Sequence, residues 1–169
     1  MTAETEDSAG ADSPKPGDPA DLSEFIENMG LHYEAYGVPR IGGRILGLLM
    51  LSPRPLAAED MAESLQVSRS SVSTNLRTLL MTGLVEKVSL PGDRYDYFVF
   101  SDTAWLRILE MRLEGILSFK ELAEEGLQTL DSSHPARFRL QEMKEWVELV
   151  EAAYERLSRK WQSRKEVPV

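Results

Sequence analysis

The fold of this chain is decided by the stretch SRSSVSTNLRTLL, residues 68–80, which directly follows AAEDMAESLQV, residues 57–67. Together the two stretches predict two short helices joined by a tight turn. The second helix carries apolar residues at the three- and four-residue spacing of an amphipathic helix; they are Val72, Leu76, Leu79 and Leu80. Around them stands a row of small polar side chains, namely Ser70, Ser71, Ser73, Thr74 and Asn75.

This polar row indicates the function of the helix. Serine and threonine are mediocre helix formers, because their hydroxyls compete for backbone hydrogen bonds. A helix in the major groove of DNA does use them, since they bond phosphates and base edges with little bulk. A merely solvated helix face, the alternative, would more often carry Glu and Lys, which residues 68–80 lack. We therefore predict a DNA-recognition helix over residues 68–82.

Length and composition limit the class of protein. The 169 residues, 42% of them hydrophobic, suffice for one domain with an added oligomerisation segment. We expect a cytoplasmic protein without a membrane segment, because neither a signal peptide nor a run of roughly 20 apolar residues occurs. There is no cysteine, and the two histidines, His32 and His134, are far apart. Without a nucleophile–base pair, phosphate-binding glycine loop or metal-ligand spacing, we expect no metal, no cofactor and no enzyme activity.

The net charge of −9 is distributed unevenly along the chain. Residues 1–21 contribute −5 and residues 22–37 contribute −3, whereas residues 38–100 carry seven Lys and Arg against six Asp and Glu. Residues 101–169 add −2. A near-neutral module with clustered arginines can bind DNA with modest counterion release. The acidic total keeps one alternative open, a winged-helix module that docks another protein without binding specific DNA.

The N-terminal part predicts a tail followed by two helices. Residues 1–21 are acidic and proline-bearing, and we expect them to be disordered. An N-terminal helix, a dimer arm, is expected over residues 22–37, with Asp21 as its N-cap and Gly37 as its breaker. After Pro39, residues 40–51 are nearly all apolar and predict a central helix. The glycines inside it suggest close approach of a neighbouring helix.

Residues 84–100, LVEKVSLPGDRYDYFVF, contain two β-prone runs around the turn 91–94. Gly83 suits a left-handed cap at the end of the recognition helix. A helix-turn-helix followed at once by a hairpin is the order of elements in a winged helix, which we predict over residues 38–101. Arg94 lies at the wing tip, where an arginine commonly reaches phosphates or the minor groove.

Residues 102–169 predict a helical dimerisation region. Asp102 or Thr103 is expected to cap a helix that runs to Leu130, and residues 136–164 form the final helix. The apolar seam of that helix consists of Leu140, Met143, Val147, Val150, Tyr154, Leu157 and Trp161. Lys120 interrupts the seam of the preceding helix. Such long amphipathic helices favour a homodimer, and a two-fold dimer matches a palindromic operator.

Three stretches resemble the MarR-type winged-helix transcription regulators, and more narrowly their GbsR-like branch. They are PRIGGRILGLLML (39–51), SRSSVSTNLRTLL (68–80) and the hairpin GLVEKV…PGDRYDYF (83–98). The resemblance implies a homodimeric DNA-binding regulator, often a repressor. It implies DNA-binding positions at the start of the recognition helix, on the polar face of that helix and at the wing tip. These positions are Ser68, Arg69, Ser70, Ser71, Ser73, Thr74, Arg77 and Arg94. Two departures from the family pattern are Ala57 in place of a capping hydroxyl and Gln66 in place of a turn glycine.

Several residues carry competing interpretations. We expect Arg40 and Arg44 to pair with acids or backbone carbonyls rather than to contact DNA. His134 is interpreted as a turn residue. An aromatic cage for a quaternary amine is conceivable but less favoured than packing; its residues would be Tyr33, Tyr36, Trp105, Trp146 and Trp161. The basic residues at the C-terminal end are interpreted as a solvated helix face; they are Arg156, Arg159, Lys160, Arg164 and Lys165.

The sequence thus predicts a mainly α protein with a small β-hairpin wing, a winged helix-turn-helix followed by long dimerisation helices. We predict a homodimeric regulator that binds double-stranded DNA sequence-specifically and represses transcription. A small-molecule effector is a further expected partner, because a change in the dimer helices would alter the spacing of the two recognition helices.

Overall fold

A computed structural model describes residues 19–164. The predicted tail over residues 1–21 lies almost entirely outside the described residues. The elements are α1 (Pro19–Glu34), α2 (Arg40–Leu51), β1 (Leu56–Ala57), α3 (Ala58–Leu65), α4 (Arg69–Met81), β2 (Val85–Val88), β3 (Tyr97–Phe100), α5 (Ala104–Thr129) and α6 (Arg137–Arg164). The mainly helical winged-helix fold class is therefore confirmed. By backbone contacts the described residues divide into two compact units, residues 19–78 with 87–99 and residues 79–86 with 100–164.

In the first unit, α1 packs closely on α2, as the glycines of α2 predict. A Cβ atom at Gly43 would lie 2.6 Å from the backbone oxygen of Met29, and one at Gly47 would lie 3.1 Å from the Met29 side chain. Only glycine allows two helix backbones to come this close. The helix α1 begins at Pro19, so Asp21 is not its N-cap as predicted but lies in its first turn. Proline suits that first turn because its missing N–H would be unpaired there.

The core of the first unit lies under the helix-turn-helix. Its fully or nearly fully buried side chains are Ile45, Leu46, Leu49, Leu56, Met61, Leu65, Val72, Leu76 and Phe98. Strand β1 pairs antiparallel with β3, with Leu56 opposite Phe98, and the strand order is β1-β3-β2. The sheet therefore has three strands, one more than the predicted hairpin. A two-residue strand is too short to show any alternation in the sequence.

The second unit is built on the antiparallel contact of α5 with α6. Val147 and Ala123 are fully buried. A Cβ atom at Gly126 would lie 2.7 Å from a methyl group of Leu140, which shows how tightly the helices meet. Lys120, which interrupts the predicted seam, reaches across to Glu151 at 3.3 Å.

Backbone groups at the two ends of α5 are hydrogen-bonded by side chains from outside the helix. Thr103, one of the two predicted caps, is the N-cap residue, but its side chain makes no capping hydrogen bond; the buried Ser101 Oγ accepts the backbone N–H of Thr103 at 3.1 Å. The same hydroxyl donates to a Glu86 carboxylate oxygen at 2.5 Å. At the other end, the Arg137 guanidinium donates to the carbonyl of Leu130 at 2.8 Å, which pairs an otherwise orphaned acceptor.

Candidate nucleic-acid interface

Helix α4 begins at a serine cap, as the sequence predicts. The Ser71 N–H donates to Ser68 Oγ at 3.2 Å, and the Val72 N–H donates to the Ser68 carbonyl at 3.1 Å. The Ser68 hydroxyl also lies within 3.0 Å of the hydroxyls of Ser70 and Ser71. The bond to Ser68 Oγ satisfies the Ser71 N–H, one of the backbone donors that the first turn of a helix leaves unpaired.

The buried face of α4 is narrower than the four-residue stripe predicted. Val72, Leu76 and Leu79 are 0%, 3% and 2% exposed, but Leu80 is 36% exposed. At 3.6 residues per turn, Leu80 lies about 80° round the helix from Val72, at the edge of the stripe. Leu80 therefore lies at the exposed edge of the predicted apolar face and not in its buried centre.

The opposite face of α4 is polar and exposed. It consists of Ser70, Ser73, Thr74 and Arg77, all classed as exposed, with Ser71 half-buried at its side. Helical geometry puts these exposed residues roughly opposite the buried stripe. No acid occurs anywhere in α4. The helix thus presents small hydroxyls and a cation with no carboxylate of its own among them.

Asn75 does not belong to this exposed face, although it stands in the same row of polar residues. It is half-buried, and its amide Nδ2 donates to the Ser71 carbonyl at 2.9 Å. A Cβ atom at Gly42 of α2 would lie 3.0 Å from Asn75 Oδ1. Asn75 is therefore a packing residue against α2, and Gly42 makes room for it.

The two arginines of α4 differ in their partners. Arg69, at the start of the helix, forms an ion pair with Glu59 in the first turn of α3. Arg77 has no carboxylate partner within residues 19–164, and the same holds for Arg94 in the wing. Both unpaired guanidinium groups belong to the first unit. They are cations available to an external anion.

The wing tip is an exposed turn that is held by hydrogen bonds rather than by packing. Gly92 adopts a φ of 82°, and the Asp93 N–H donates to the Leu90 carbonyl at 3.1 Å. The Asp93 carboxylate accepts the Tyr97 hydroxyl at 2.5 Å and the Tyr95 N–H at 3.1 Å. The hydrogen bond from Tyr97 is the main cause that lowers the pKa of Asp93, and it raises the pKa of Tyr97.

This turn orders the backbone on both sides of Arg94. The base of the wing is joined by an ion pair between Lys87 and Asp96 at 2.8 Å. Tyr95 is 68% exposed beside Arg94. Tyr95 is not among the residues predicted to contact DNA, although an aromatic residue next to the tip arginine is visible in the sequence.

At the two positions that depart from the family pattern, Ala57 and Gln66, the local structure is formed in another way. Gln66 occupies the left-handed region that a turn glycine would take, with φ 54° and ψ 46°. At Ala57, which lacks a capping hydroxyl, the Asp60 carboxylate still accepts the Ala57 N–H at 3.2 Å. The turn between α3 and α4 is therefore retained, at the expense of a strained backbone at Gln66.

Arg40 and Arg44 pair as the sequence predicts, with an acid and a carbonyl. Glu27 of α1 binds both guanidinium groups, at 2.6 Å to Arg40 and 3.1 Å to Arg44. Arg44 also donates to the Leu65 carbonyl at 3.0 Å. It therefore links α1 to the last residue of α3, next to the turn of the helix-turn-helix. His134 is a turn residue as predicted, since its ring Nδ1 accepts the Ala136 N–H at 3.1 Å.

The seam predicted for dimerisation lies largely inside the single chain. Val147 is fully buried and Leu140 contacts Gly126 of α5, whereas Leu157 is 46% exposed. A neighbouring face of α6 exposes Trp146 at 52% and Leu149 at 72%. The Glu124–Lys144 pair at 3.0 Å also joins the hairpin, lowering the pKa of Glu124 and raising that of Lys144. Whether the seam carries a dimer stays a prediction.

Between residues 19 and 164 no cluster of His, Asp and Glu could hold a metal ion. In the same range no helix combines the length and apolar character needed to cross a lipid bilayer.

Comparison with known proteins identifies relatives over most of the chain. A profile of the MarR family matches residues 36–94, and one of MmpR5-like MarR family transcriptional regulators matches residues 103–164. The HTH-type transcriptional regulator MmpR5 of Mycobacterium tuberculosis is 34% identical over 133 residues, which cover 78% of this chain and 81% of the relative. The putative HTH-type transcriptional regulator YvaV of Bacillus subtilis is 27% identical over 142 residues, covering 73% and 78%.

A solved structure supports the same relationship. The crystal structure of a transcriptional regulator superposes with a TM-score of 0.68 at 30% identity. The match covers 85% of this chain and 99% of the other. The similarity therefore extends over both the helix-turn-helix and the long helices.

Proposed function

Because this chain belongs to the MarR family of transcriptional regulators, we propose that it binds double-stranded DNA sequence-specifically as a homodimer and represses transcription. The observation that carries the proposal is the exposed face of α4. It combines three small hydroxyl side chains with Arg77, which has no carboxylate partner among residues 19–164. The apolar face of α4 is buried in the core, so the helix presents its polar face as a rigid surface.

In the proposed complex, α4 lies in the major groove and the wing lies beside it. Small side chains allow the helix backbone to approach the bases closely, and their hydroxyls bond phosphates or base edges. Arg77 has the planar fork that binds guanine or phosphate with two hydrogen bonds. Arg94 contacts the backbone or the minor groove. The DNA-facing set is Ser68, Arg69, Ser70, Ser71, Ser73, Thr74, Arg77 and Arg94.

The proposed homodimer forms through the helical hairpin. Of the seam residues, Leu157 is exposed and available to a second copy, and the exposed Trp146 and Leu149 extend this surface. Large apolar side chains exposed together at helical spacing are typical of an interface rather than of a monomer surface. A two-fold dimer would bind a palindromic operator with half-sites about one helical turn apart.

Two finer assignments belong to the same proposal. The GbsR-like branch rests on the three resembling stretches in residues 39–51, 68–80 and 83–98. Modulation by a small-molecule effector requires that the effector bind two arrangements of the dimer with unequal affinity.

The test compares arginine variants on duplexes that the unaltered protein retains from a random pool. We expect Arg77→Ala to weaken binding by about five- to 150-fold, corresponding to about 1–3 kcal/mol for a bidentate base or phosphate contact. Arg139→Ala is the matched control, because Arg139 is exposed on α6. Equal affinity of the two variants would remove Arg77 from the interface. Binding to duplex DNA that is independent of salt would favour the protein-docking alternative.

A further inference from the structure

The start of α4 holds an ion pair that bears directly on DNA binding. Arg69 is the first residue of α4, and Glu59 lies in the first turn of α3. Their side chains form an ion pair while remaining 71% and 59% exposed. Because α4 itself contains no acid, Glu59 brings a carboxylate to a helix that otherwise presents only hydroxyls and cations.

A carboxylate paired with arginine occupies the position that a DNA phosphate would otherwise take. Both anions accept the same parallel hydrogen bonds from a guanidinium group. While Arg69 is paired with Glu59, it neutralises no phosphate and releases no counterion. Glu59 is itself exposed, so its charge also repels a nearby phosphate through solvent.

We infer that Glu59 withholds Arg69 from DNA phosphates and so limits the affinity of this protein for DNA of any sequence. This inference rests on the proposed DNA-binding function and names a residue that regulates the same surface. Arg77, which has no such partner among residues 19–164, contributes fully, whereas Arg69 lies in the DNA-facing set but gains a phosphate contact only when Glu59 is removed. The consequence is weaker binding to the bulk of genomic DNA, which is held almost entirely by phosphate contacts.

The size of the expected change in DNA affinity depends on how exposed the Arg69–Glu59 ion pair is. Exposed ion pairs are weak, so release of Arg69 is expected to tighten DNA binding by about two- to fivefold. One additional neutralised phosphate makes the slope of log affinity against log salt steeper by about 0.9. The change in slope is the more specific of the two effects, because it counts phosphates.

The experiment measures binding of the full chain to a mixed-sequence duplex across a salt series. We expect Glu59→Gln to bind more tightly and with a steeper salt slope than the unaltered chain. Glu63→Gln is the matched control, since Glu63 is exposed on the same helix and has no ion pair within residues 19–164. It changes the net charge equally but frees no arginine.

Arg69→Ala completes a double-mutant cycle with Glu59→Gln. It should change affinity by less than about twofold in the unaltered chain, and it should abolish the gain produced by Glu59→Gln. If Glu59→Gln and Glu63→Gln have the same slope, or if Glu59→Gln binds more weakly, the inference fails while the proposed function stands. If the unaltered chain binds no duplex at low salt, both fail together.

Discussion

Replacement of Gln66 by glycine is predicted to stabilise the protein. Gln66 is the single non-glycine residue with a positive φ among residues 19–164, and it closes α3 immediately before the recognition helix. The left-handed conformation costs an ordinary L-residue about 1–2 kcal/mol. Glycine avoids this cost but loses about 0.5–1 kcal/mol through its greater freedom in the unfolded chain. The difference favours glycine by about 0.5–1 kcal/mol.

The assay is urea unfolding at a fixed protein concentration, because any dimer makes stability depend on concentration. Gln66→Gly should raise the unfolding midpoint with an unchanged m-value, and it should raise Tm by about 1–4 °C for a chain of this size. Gln66→Ala is the matched control, since it removes the exposed side chain but keeps the Cβ atom. If Gln66→Gly is no more stable than Gln66→Ala, the backbone strain assigned to this turn does not exist.

Four further predictions test other parts of the structure. Gly43→Ala should lower the free energy of unfolding by about 1–3 kcal/mol in urea titration, because the new Cβ atom would lie 2.6 Å from a backbone oxygen of α1. An unchanged unfolding midpoint would contradict the close contact between α1 and α2. Val147→Ala should cost about 2 kcal/mol by the same assay through a cavity in the fully buried hairpin contact, and a cost near zero would mean that this core is loose. Leu149→Glu should leave the monomer fold intact, by circular dichroism, but dissociate the dimer in sedimentation; a persistent dimer would exclude this face. Tyr97→Phe should raise the pKa of Asp93, followed by carbon NMR, because the main cause of its depression is removed. Since the folded pKa of Asp93 lies below 3.8, the contribution of its carboxylate to wing stability is present above that pH and is lost as the pH falls through the folded pKa. If Asp93 titrates identically in Tyr97→Phe and in the unaltered chain, the hydrogen bond is refuted.

The sequence was most informative where one residue type is physically required. Glycine at position 83, with φ 70°, ends α4 as a left-handed cap, and the predicted bounds of α2 agree with those observed. Ser68 was predicted as a cap because few residues can satisfy the free N–H groups of a first turn. These features depend on local geometry, which a short stretch of sequence encodes.

Features that depend on distant parts of the chain could not be predicted in this way. Strand β1 exists only because Leu56 meets Phe98, more than 40 positions along the chain. Asn75 is indistinguishable from its polar neighbours in sequence, and only the space left by Gly42 explains its inward position. Likewise the ion pair between Glu59 and Arg69 joins two helices whose approach the sequence alone does not fix.

The dimerisation face illustrates the same limit. The heptad-like spacing in α6 correctly predicts a packed seam, but spacing does not say whether the partner is another helix of the same chain or a second copy. The structure answers this for Val147, which is buried by the chain itself. The exposed residues on the neighbouring face, Trp146 and Leu149, are three positions apart, which is too short a pattern for the sequence to name their partner.

The central claim is that α4 recognises specific DNA sequences as one half of a dimeric protein. Selection of bound sequences from a random duplex library, with the purified full chain at moderate salt, tests this most directly. We expect enrichment of a palindrome whose half-sites lie about one helical turn apart, with strong competition by the enriched duplex over random DNA. A folded, dimeric protein that enriches no sequence would contradict it.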